Sequence, residues 1–268
     1  MTLNIFVLYT MNIHMKKTPQ FKSVDKALCT FLDEKQRAYK SSSEETYWHA
    51  SGLGYCLRKQ YFMRLGLEKT HATPYKYQFV AMDGNASHEW RQEALKDIGI
   101  LLASEETLIS EEHQYKGRYD ALVKLTDGLS LIDIKTQGSR AWAYRKRAEK
   151  SGVSRAHKIQ LGSYFLLLKK KYPKLKDARL YYYNRDTGER EEYIIHFTDT
   201  YLQKIIDILT TLNRYWKKQE VPPAPPMHDR KLCNYCDFRG YCKDLKKRGN
   251  ADTLIENYAG KATTIKKK

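Results

Sequence analysis

The sequence is short of three things: acidic residues, cysteines and long apolar runs. Its 268 residues include 31 Asp and Glu against 48 Lys and Arg, which gives a formal net charge of +17. Such an excess of positive charge predicts a polyanionic partner. Five cysteines are too few for a disulfide scaffold in a chain of this length. No apolar run approaches the about 20 residues that a membrane-spanning helix needs, so no membrane association is expected.

The pattern along the chain predicts an α/β protein. Helices are predicted at 20–39, 56–65, 83–99, 155–171 and 199–218, and strands at 107–110, 117–125, 129–135, 178–184 and 191–197. The mildly apolar opening has no basic stretch before it and no small-residue cleavage site, so we do not interpret it as a signal peptide. The expected organisation is a leader (1–19), a helical segment (20–82), a core (83–220), a cysteine-containing segment (221–245) and a basic tail (246–268).

Four of the cysteines have the spacing of metal ligands. Cys56 stands alone in SGLGYCLRKQYF, whereas Cys233, Cys236 and Cys242 form a C-x2-C-x5-C motif near the other end. Four thiolates bind either zinc or an iron–sulfur cluster. The spacing does not decide between them, although a split of one and three ligands is less usual for zinc. Thiolate ligation indicates a reducing compartment and hence a cytoplasmic protein, which could also be virus-encoded and act in the host cytoplasm.

A predicted hairpin holds the candidate catalytic residues. If Asp127 and Gly128 form its two-residue loop, Asp120 pairs with Lys135 and Asp133 pairs with Leu122. Asp120, Asp133 and Lys135 then share one face, with the two carboxylates as diagonal neighbours roughly 7–8 Å apart. Carboxylates at that distance can hold Mg²⁺ or Mn²⁺, which activates water for phosphodiester hydrolysis, with a lysine beside it. The alternative is an ordinary hairpin with solvent-exposed Asp and Lys.

Two helices carry further candidate residues. Gly84-x3-His88 precedes the hairpin, and its imidazole is a suitable ligand for Mn²⁺. Gln160 and Tyr164 are four residues apart in KIQLGSYF, so they share a helix face and can contact the DNA backbone or support the lysine. Either motif alone is also compatible with a purely structural role.

Positive charge is concentrated after the hairpin. Residues 140–176 contain twelve Lys and Arg but one acid, Glu149. Basic side chains interleaved with aromatic ones suit single-stranded nucleic acid, because phosphates pair with the former and bases stack on the latter. We therefore predict that 138–155 is a loop or gate over the active site. The candidate nucleic-acid contacts are Arg140, Trp142, Tyr144, Arg145, Lys146, Arg147 and Arg155.

In their order along residues 50–245, these motifs resemble the RecB-like branch of the PD-(D/E)XK nucleases, and most of all the CRISPR-associated exonucleases of the Cas-four type. The resemblance implies a restriction-endonuclease-like core, in which a central mixed sheet is flanked by helices, and a helical iron–sulfur subdomain built from both chain ends. It implies that Asp120, Asp133, Lys135, Gln160 and Tyr164 are catalytic. The implied metal ligands are His88, Asp120, Asp133 and the Ile134 carbonyl, and the implied [4Fe–4S] ligands are Cys56, Cys233, Cys236 and Cys242.

The sequence therefore predicts a Mg²⁺- or Mn²⁺-dependent DNA exonuclease that acts on single strands or free ends. Two alternatives remain open. One is a DNA-handling module that works mainly with an integrase or a helicase, and the other is an RNA nuclease. The intact set of Asp120, Asp133 and Lys135 argues against a module that has lost catalysis.

Overall fold

The computed structural model describes residues 23–41, 46–225, 233–234 and 236–248. The predicted leader, most of the basic tail and the segment just before Cys233 lie outside these residues. Within them, no helix combines the length and apolar character required to cross a membrane. The helices are α1 (Val24–Ser41), α2 (Leu57–Arg64), α3 (Tyr75–Asp97), α4 (Ser139–Ala148), α5 (Arg155–Lys171), α6 (Asp199–Lys218) and α7 (Arg239–Arg248), with a 3-10 turn at Ala50–Gly52.

The described strands form two sheets. They are β1 (Trp48–His49), β2 (Leu101–Ser104), β3 (Thr107–Ser110), β4 (Tyr115–Arg118), β5 (Ala121–Leu125), β6 (Gly128–Gln137), β7 (Leu175–Asn184) and β8 (Arg190–Ile195). The larger sheet has the order β2-β5-β6-β7-β8, and the smaller one has the order β1-β4-β3. In the larger sheet β6 and β7 run parallel while the other neighbours are antiparallel. This mixed sheet flanked by helices confirms the predicted α/β architecture.

The two faces of the larger sheet have different coverings. Leu122, Leu131 and Leu180 are buried in one hydrophobic cluster together with apolar residues of α5 and α6. Val123 and Ile132 point to the opposite face, where Leu95 of α3 packs against them. Alternation along β6 places Asp133 and Lys135 on the face that α5 covers.

The chain divides into two units at residue 43. Helix α1 belongs to the first unit, and the other described elements belong to the second. Helices α5 and α6 have the predicted bounds, whereas α3 begins eight residues earlier than the expected start at Asp83. The domain boundaries predicted at residues 82, 220 and 245 remain predictions.

The register of the β5–β6 hairpin differs from the predicted one. Leu125 pairs with Gly128 and Ala121 with Ile132, so Thr126 and Asp127 form the loop. Gly128 has a φ of 137°, which glycine tolerates, and it begins the strand instead of completing the turn. The pairing is therefore shifted by two residues. Since side chains alternate with a period of two, that shift leaves Asp120, Asp133 and Lys135 on a common face.

The prediction of a loop at 138–155 is wrong over most of its length, because α4 occupies Ser139–Ala148. Two of the residues predicted to contact nucleic acid are buried in this helix: Trp142 is 5% exposed and Arg145 is 3% exposed. The Arg145 guanidinium forms an ion pair with Glu191 at 2.8 Å and lies over the Tyr182 ring, 4.0 Å from its centroid. Arg145 is therefore a structural cation that connects α4 to β7 and β8.

Candidate active site

Strand β6 carries an acid and a lysine at the centre of the sheet. Asp133 is fully buried, and the Lys135 ammonium donates a hydrogen bond to its Oδ1 at 3.0 Å. The same ammonium lies 2.9 Å from Oδ2, yet that oxygen is buried and accepts no hydrogen bond within the described residues. Asp133 thus has a carboxylate oxygen that the protein does not fully satisfy, and a buried acceptor without a hydrogen bond is costly.

Asp120 reaches the same place from the junction between β4 and β5. Its Oδ2 accepts a hydrogen bond of 2.6 Å from the Ile134 backbone N–H. The His88 imidazole, on α3, places Nδ1 3.5 Å from the same Asp120 oxygen. Three of the residues predicted as metal ligands, His88, Asp120 and Asp133, are therefore gathered around the middle of β6.

The charges in this cluster shift one another's pKa. Burial raises the pKa of both the Asp120 and the Asp133 carboxyls above the ordinary value, and the Lys135 charge opposes that rise. Burial by itself would lower the pKa of Lys135, but the charges of Asp133 and Asp120 outweigh it and raise the pKa. Burial together with the Lys135 charge lowers the pKa of His88. The buried Asp133 and the partly buried Asp120 thus share one cation beside an imidazole that favours its neutral form.

The pair Gln160 and Tyr164 supports the lysine from α5. Gln160 accepts a hydrogen bond of 3.2 Å from the Lys135 ammonium, and its amide nitrogen donates one of 3.0 Å to the Tyr164 hydroxyl. The tyrosine contact fixes the amide so that its oxygen faces the ammonium. Tyr164 is 2% exposed, and its ring packs directly on Gly117. A Cβ at Gly117 would lie 2.4 Å from the ring carbon Cε1, which explains the glycine at this position.

A polar group that was not predicted from the sequence contacts the Asp120 backbone. Gln92, one helical turn after His88, donates to the Asp120 carbonyl oxygen at 2.9 Å and to Glu105 at 2.6 Å. Arg118 forms an ion pair of 2.7 Å with the other Glu105 oxygen. Glu105 has a φ of 56°, an uncommon conformation for a residue with a side chain. The only signal in the sequence was the spacing of Gln92 from His88.

The types of donor atom in this cluster suit a hard divalent cation. Two carboxylates and one imidazole suit Mg²⁺ or Mn²⁺, and the buried Asp133 Oδ2 accepts no hydrogen bond within the described residues, although the Lys135 ammonium lies 2.9 Å from it. No three His, Cys, Asp or Glu side chains of the described residues are close enough together to coordinate one ion. Ligation of a cation by His88, Asp120, Asp133 and the Ile134 carbonyl therefore remains a prediction.

The cysteine-containing segment packs against α2. Burial raises the pKa of the Cys56 thiol, and the nearby Cys242 and Cys236 thiols raise it further. The Phe62 ring contacts the Phe238 ring, with centroids 5.9 Å apart. Further contacts join residues 56–70 to the C-terminal segment: Thr70 donates to the Asp237 carbonyl, Tyr241 donates to the Glu68 carbonyl and Arg58 contacts Cys242. These contacts bring Cys56, Cys236 and Cys242 to one region.

A family model of known proteins matches most of the chain. Residues 14–243 match the family model of the PD-(D/E)XK nuclease superfamily. The chain therefore belongs to the PD-(D/E)XK nuclease superfamily. No curated protein sequence matches it.

One solved structure shows the same fold, and two others are reported for comparison. SSO0001 is similar, with a TM-score of 0.50 and 19% identity, over 80% of this chain and 94% of that one. An alkaline exonuclease (LHK-Exo) from Laribacter hongkongensis has a TM-score of 0.47 and 13% identity, over 66% of this chain and 90% of that one. A phage-related exonuclease from Haemophilus somnus 129PT has a TM-score of 0.43 and 14% identity, over 61% and 80%.

Substituting alanine for two glycines of the site should change the free energy of unfolding in opposite directions. Gly117→Ala places a methyl group against Tyr164 and Ala50, and we expect a loss of about 2 kcal/mol of unfolding free energy. Gly84 lies inside α3 with no neighbouring atom within 4 Å of an added Cβ, so Gly84→Ala should gain about 1 kcal/mol through helix propensity. Urea denaturation of both variants measures these changes. Equal effects of the two substitutions would contradict the packing described for Tyr164.

Proposed function

We propose that the protein is a metal-dependent DNA nuclease, acting as an exonuclease on single strands or free ends by hydrolysing phosphodiester bonds. The observation that carries this proposal is the convergence of Asp120, Asp133 and Lys135 on one face of the β5–β6 hairpin. The Asp133 carboxylate contacts the Lys135 ammonium, and the charge of that ammonium also acts on the partly buried Asp120 carboxylate. Membership in the PD-(D/E)XK nuclease superfamily supports hydrolysis of nucleic acid as the reaction.

Asp120 and Asp133 would hold the divalent cation, with His88 and the Ile134 carbonyl as the remaining protein ligands. When bound, Mg²⁺ or Mn²⁺ supplies an activated water and neutralises charge on the phosphoryl oxygens. The protein prepares this site by excluding water from the two carboxylates, which strengthens their attraction for a cation. The Ile134 N–H keeps Asp120 oriented through its hydrogen bond to Oδ2.

Lys135 would act on the phosphate group that is attacked. The charges of both acids keep its pKa above the ordinary value, so the side chain carries a proton and a positive charge. A protonated ammonium at this position stabilises negative charge that develops on the phosphoryl oxygens. Gln160 and Tyr164 position this ammonium through the hydrogen bonds described above.

The DNA strand would be bound by basic and aromatic side chains of α4 and the start of α5. Tyr144 is 57% exposed, and Arg140, Arg147 and Arg155 are also exposed. Lys146 is exposed as well, but it forms an ion pair of 2.7 Å with Glu191. Since Trp142 and Arg145 are buried and engaged with neighbouring residues, we leave both out of the proposed surface.

Cys56, Cys233, Cys236 and Cys242 would hold a structural [4Fe–4S] cluster, as in the CRISPR-associated exonucleases of the Cas-four type. The proposal rests on the order of motifs and on the proximity of Cys56 to Cys236 and Cys242. Such a cluster would connect α2 to the C-terminal segment covalently, in addition to the aromatic contacts of Phe62.

Lys135→Ala should reduce cleavage of end-labelled single-stranded DNA by about 100-fold or more in the presence of Mg²⁺ or Mn²⁺, because it removes the cation beside the acids. Lys124→Ala is the matched control, since Lys124 is an exposed lysine on the partner strand of the same hairpin. Gel electrophoresis of the products measures both rates, with duplex DNA and RNA tested in parallel.

Equal cleavage by wild type and Lys135→Ala would exclude the proposed role of the lysine. Tight DNA binding without cleavage by either protein would instead favour a DNA-handling module that works with an integrase or a helicase. Faster cleavage of RNA than of DNA would change the proposed substrate.

The cluster has a separate test that does not depend on activity. Protein purified without oxygen should be brown and contain about four iron atoms per chain, and Cys236→Ser should lower that content. Elemental analysis measures iron and zinc together. A colourless protein with a single zinc ion would replace the iron–sulfur proposal by a zinc site.

A further inference from the structure

His157 lies beside the candidate active site, although none of the motifs above includes it. It occupies the first turn of α5, three residues before Gln160. Its Nδ1 is 3.0 Å from the hydroxyl oxygen of Tyr182. Tyr182 on β7 is the pairing partner of Lys135 on β6, so the two side chains project from the same face of the sheet. His157 is thereby placed next to the lysine without touching the carboxylates.

The hydrogen bonds of Tyr182 determine which nitrogen of His157 carries the proton. Tyr182 is fully buried, and its hydroxyl has two hydrogen-bond neighbours among the described residues: the Ser154 backbone N–H at 3.2 Å and His157 Nδ1. The Ser154 N–H can only donate. A buried hydroxyl hydrogen needs an acceptor, and His157 Nδ1 is the acceptor within reach. The neutral imidazole therefore carries its hydrogen on Nε2.

The surroundings keep this imidazole neutral. Burial lowers the pKa of His157 to about 3, and the positive charges of Lys135 and Arg145 contribute to the shift. The ring is only partly buried, and the hydrogen bond to Tyr182 is the one that it makes within the described residues. His157 is consequently a neutral donor whose Nε2–H has no protein acceptor there.

We propose that His157 is a further substrate-binding residue of the active site, whose Nε2–H donates a hydrogen bond to a phosphate oxygen of the bound polynucleotide. The proposal rests on the function proposed above. A neutral donor binds phosphate without placing a second positive charge next to Lys135. Tyr182 acts as a positioning residue, since its hydroxyl fixes the tautomer that can donate.

Three variants separate this role from a purely structural one. His157→Leu removes the donor, and His157→Gln keeps an N–H group near the position of Nε2. Tyr182→Phe leaves the imidazole but removes the hydroxyl that fixes its tautomer. His196→Leu is the control, because His196 is an exposed histidine after β8. Circular dichroism and thermal unfolding verify that each variant is folded before it is compared.

Binding of a fluorescent single-stranded oligonucleotide is measured with EDTA present, and kcat/KM is measured with Mn²⁺. His157→Leu should weaken binding and lower kcat/KM by about tenfold, the effect of losing one hydrogen bond to a charged group. Tyr182→Phe should have a similar effect, whereas His157→Gln should retain most of the wild-type affinity and His196→Leu all of it. Unchanged binding and unchanged kcat/KM in folded His157→Leu would overturn the proposal.

The tautomer of His157 can be measured directly, without substrate and without enzymatic activity. Nitrogen-15 NMR of the imidazole side chains should show His157 as the neutral Nε2–H form between pH 5.5 and pH 8, a range chosen about two units or more above its pKa, and Tyr182→Phe should change this pattern. A protonated ring or the Nδ1–H form in the wild type would also overturn the proposal. A wild type that binds DNA but never cleaves it contradicts the proposed nuclease function alone, and the binding and NMR results still decide the role of His157.

Discussion

The burial of two carboxylates next to one lysine is the constraint on which the rest of this structure depends. Asp120 and Asp133 have their pKa raised by loss of water, and Lys135 offsets only one of their two charges. Ionised acids so buried are costly. The neighbouring elements accordingly hold the three charges in place: α5 through Gln160, α3 through Gln92, and β6 through the Ile134 N–H.

The buried Arg145 and the partly buried Lys135 have different surroundings. Arg145 has a full set of partners, including Glu191, Gln137 and the rings of Trp142 and Tyr182. Lys135 instead has a single charge against the two charges of Asp133 and Asp120. A fully paired cation stabilises the junction of α4 with the sheet, whereas the remaining negative charge around Lys135 leaves a place for a further cation. Tyr182 lies between them, contacted by Arg145 and paired with Lys135.

Much of the fold was predictable because it depends on short-range patterns. Helices α5 and α6 and the strands around Asp133 follow from local periodicity, and the shared face of Asp120 and Lys135 survived a shift of two residues in register. The burial of Trp142 and Arg145 was not predictable, because it depends on Glu191 and Tyr182, which are distant in sequence. The roles of Glu105 and Gly117 were likewise not predictable from the sequence, because they depend on tertiary contacts with Arg118 and Tyr164. The roles proposed for the cysteines and the acids remain predictions.

The most direct test of the account is thermal unfolding of wild type and Asp120→Asn, each with EDTA and with Mn²⁺. An asparagine oxygen can still accept the Ile134 N–H, so the substitution removes one buried charge and little else. The account predicts that Asp120→Asn unfolds at a higher temperature than wild type in EDTA, and that Mn²⁺ stabilises wild type but not the variant. Equal stabilisation of both proteins by Mn²⁺ would contradict a cation site built on Asp120 and Asp133.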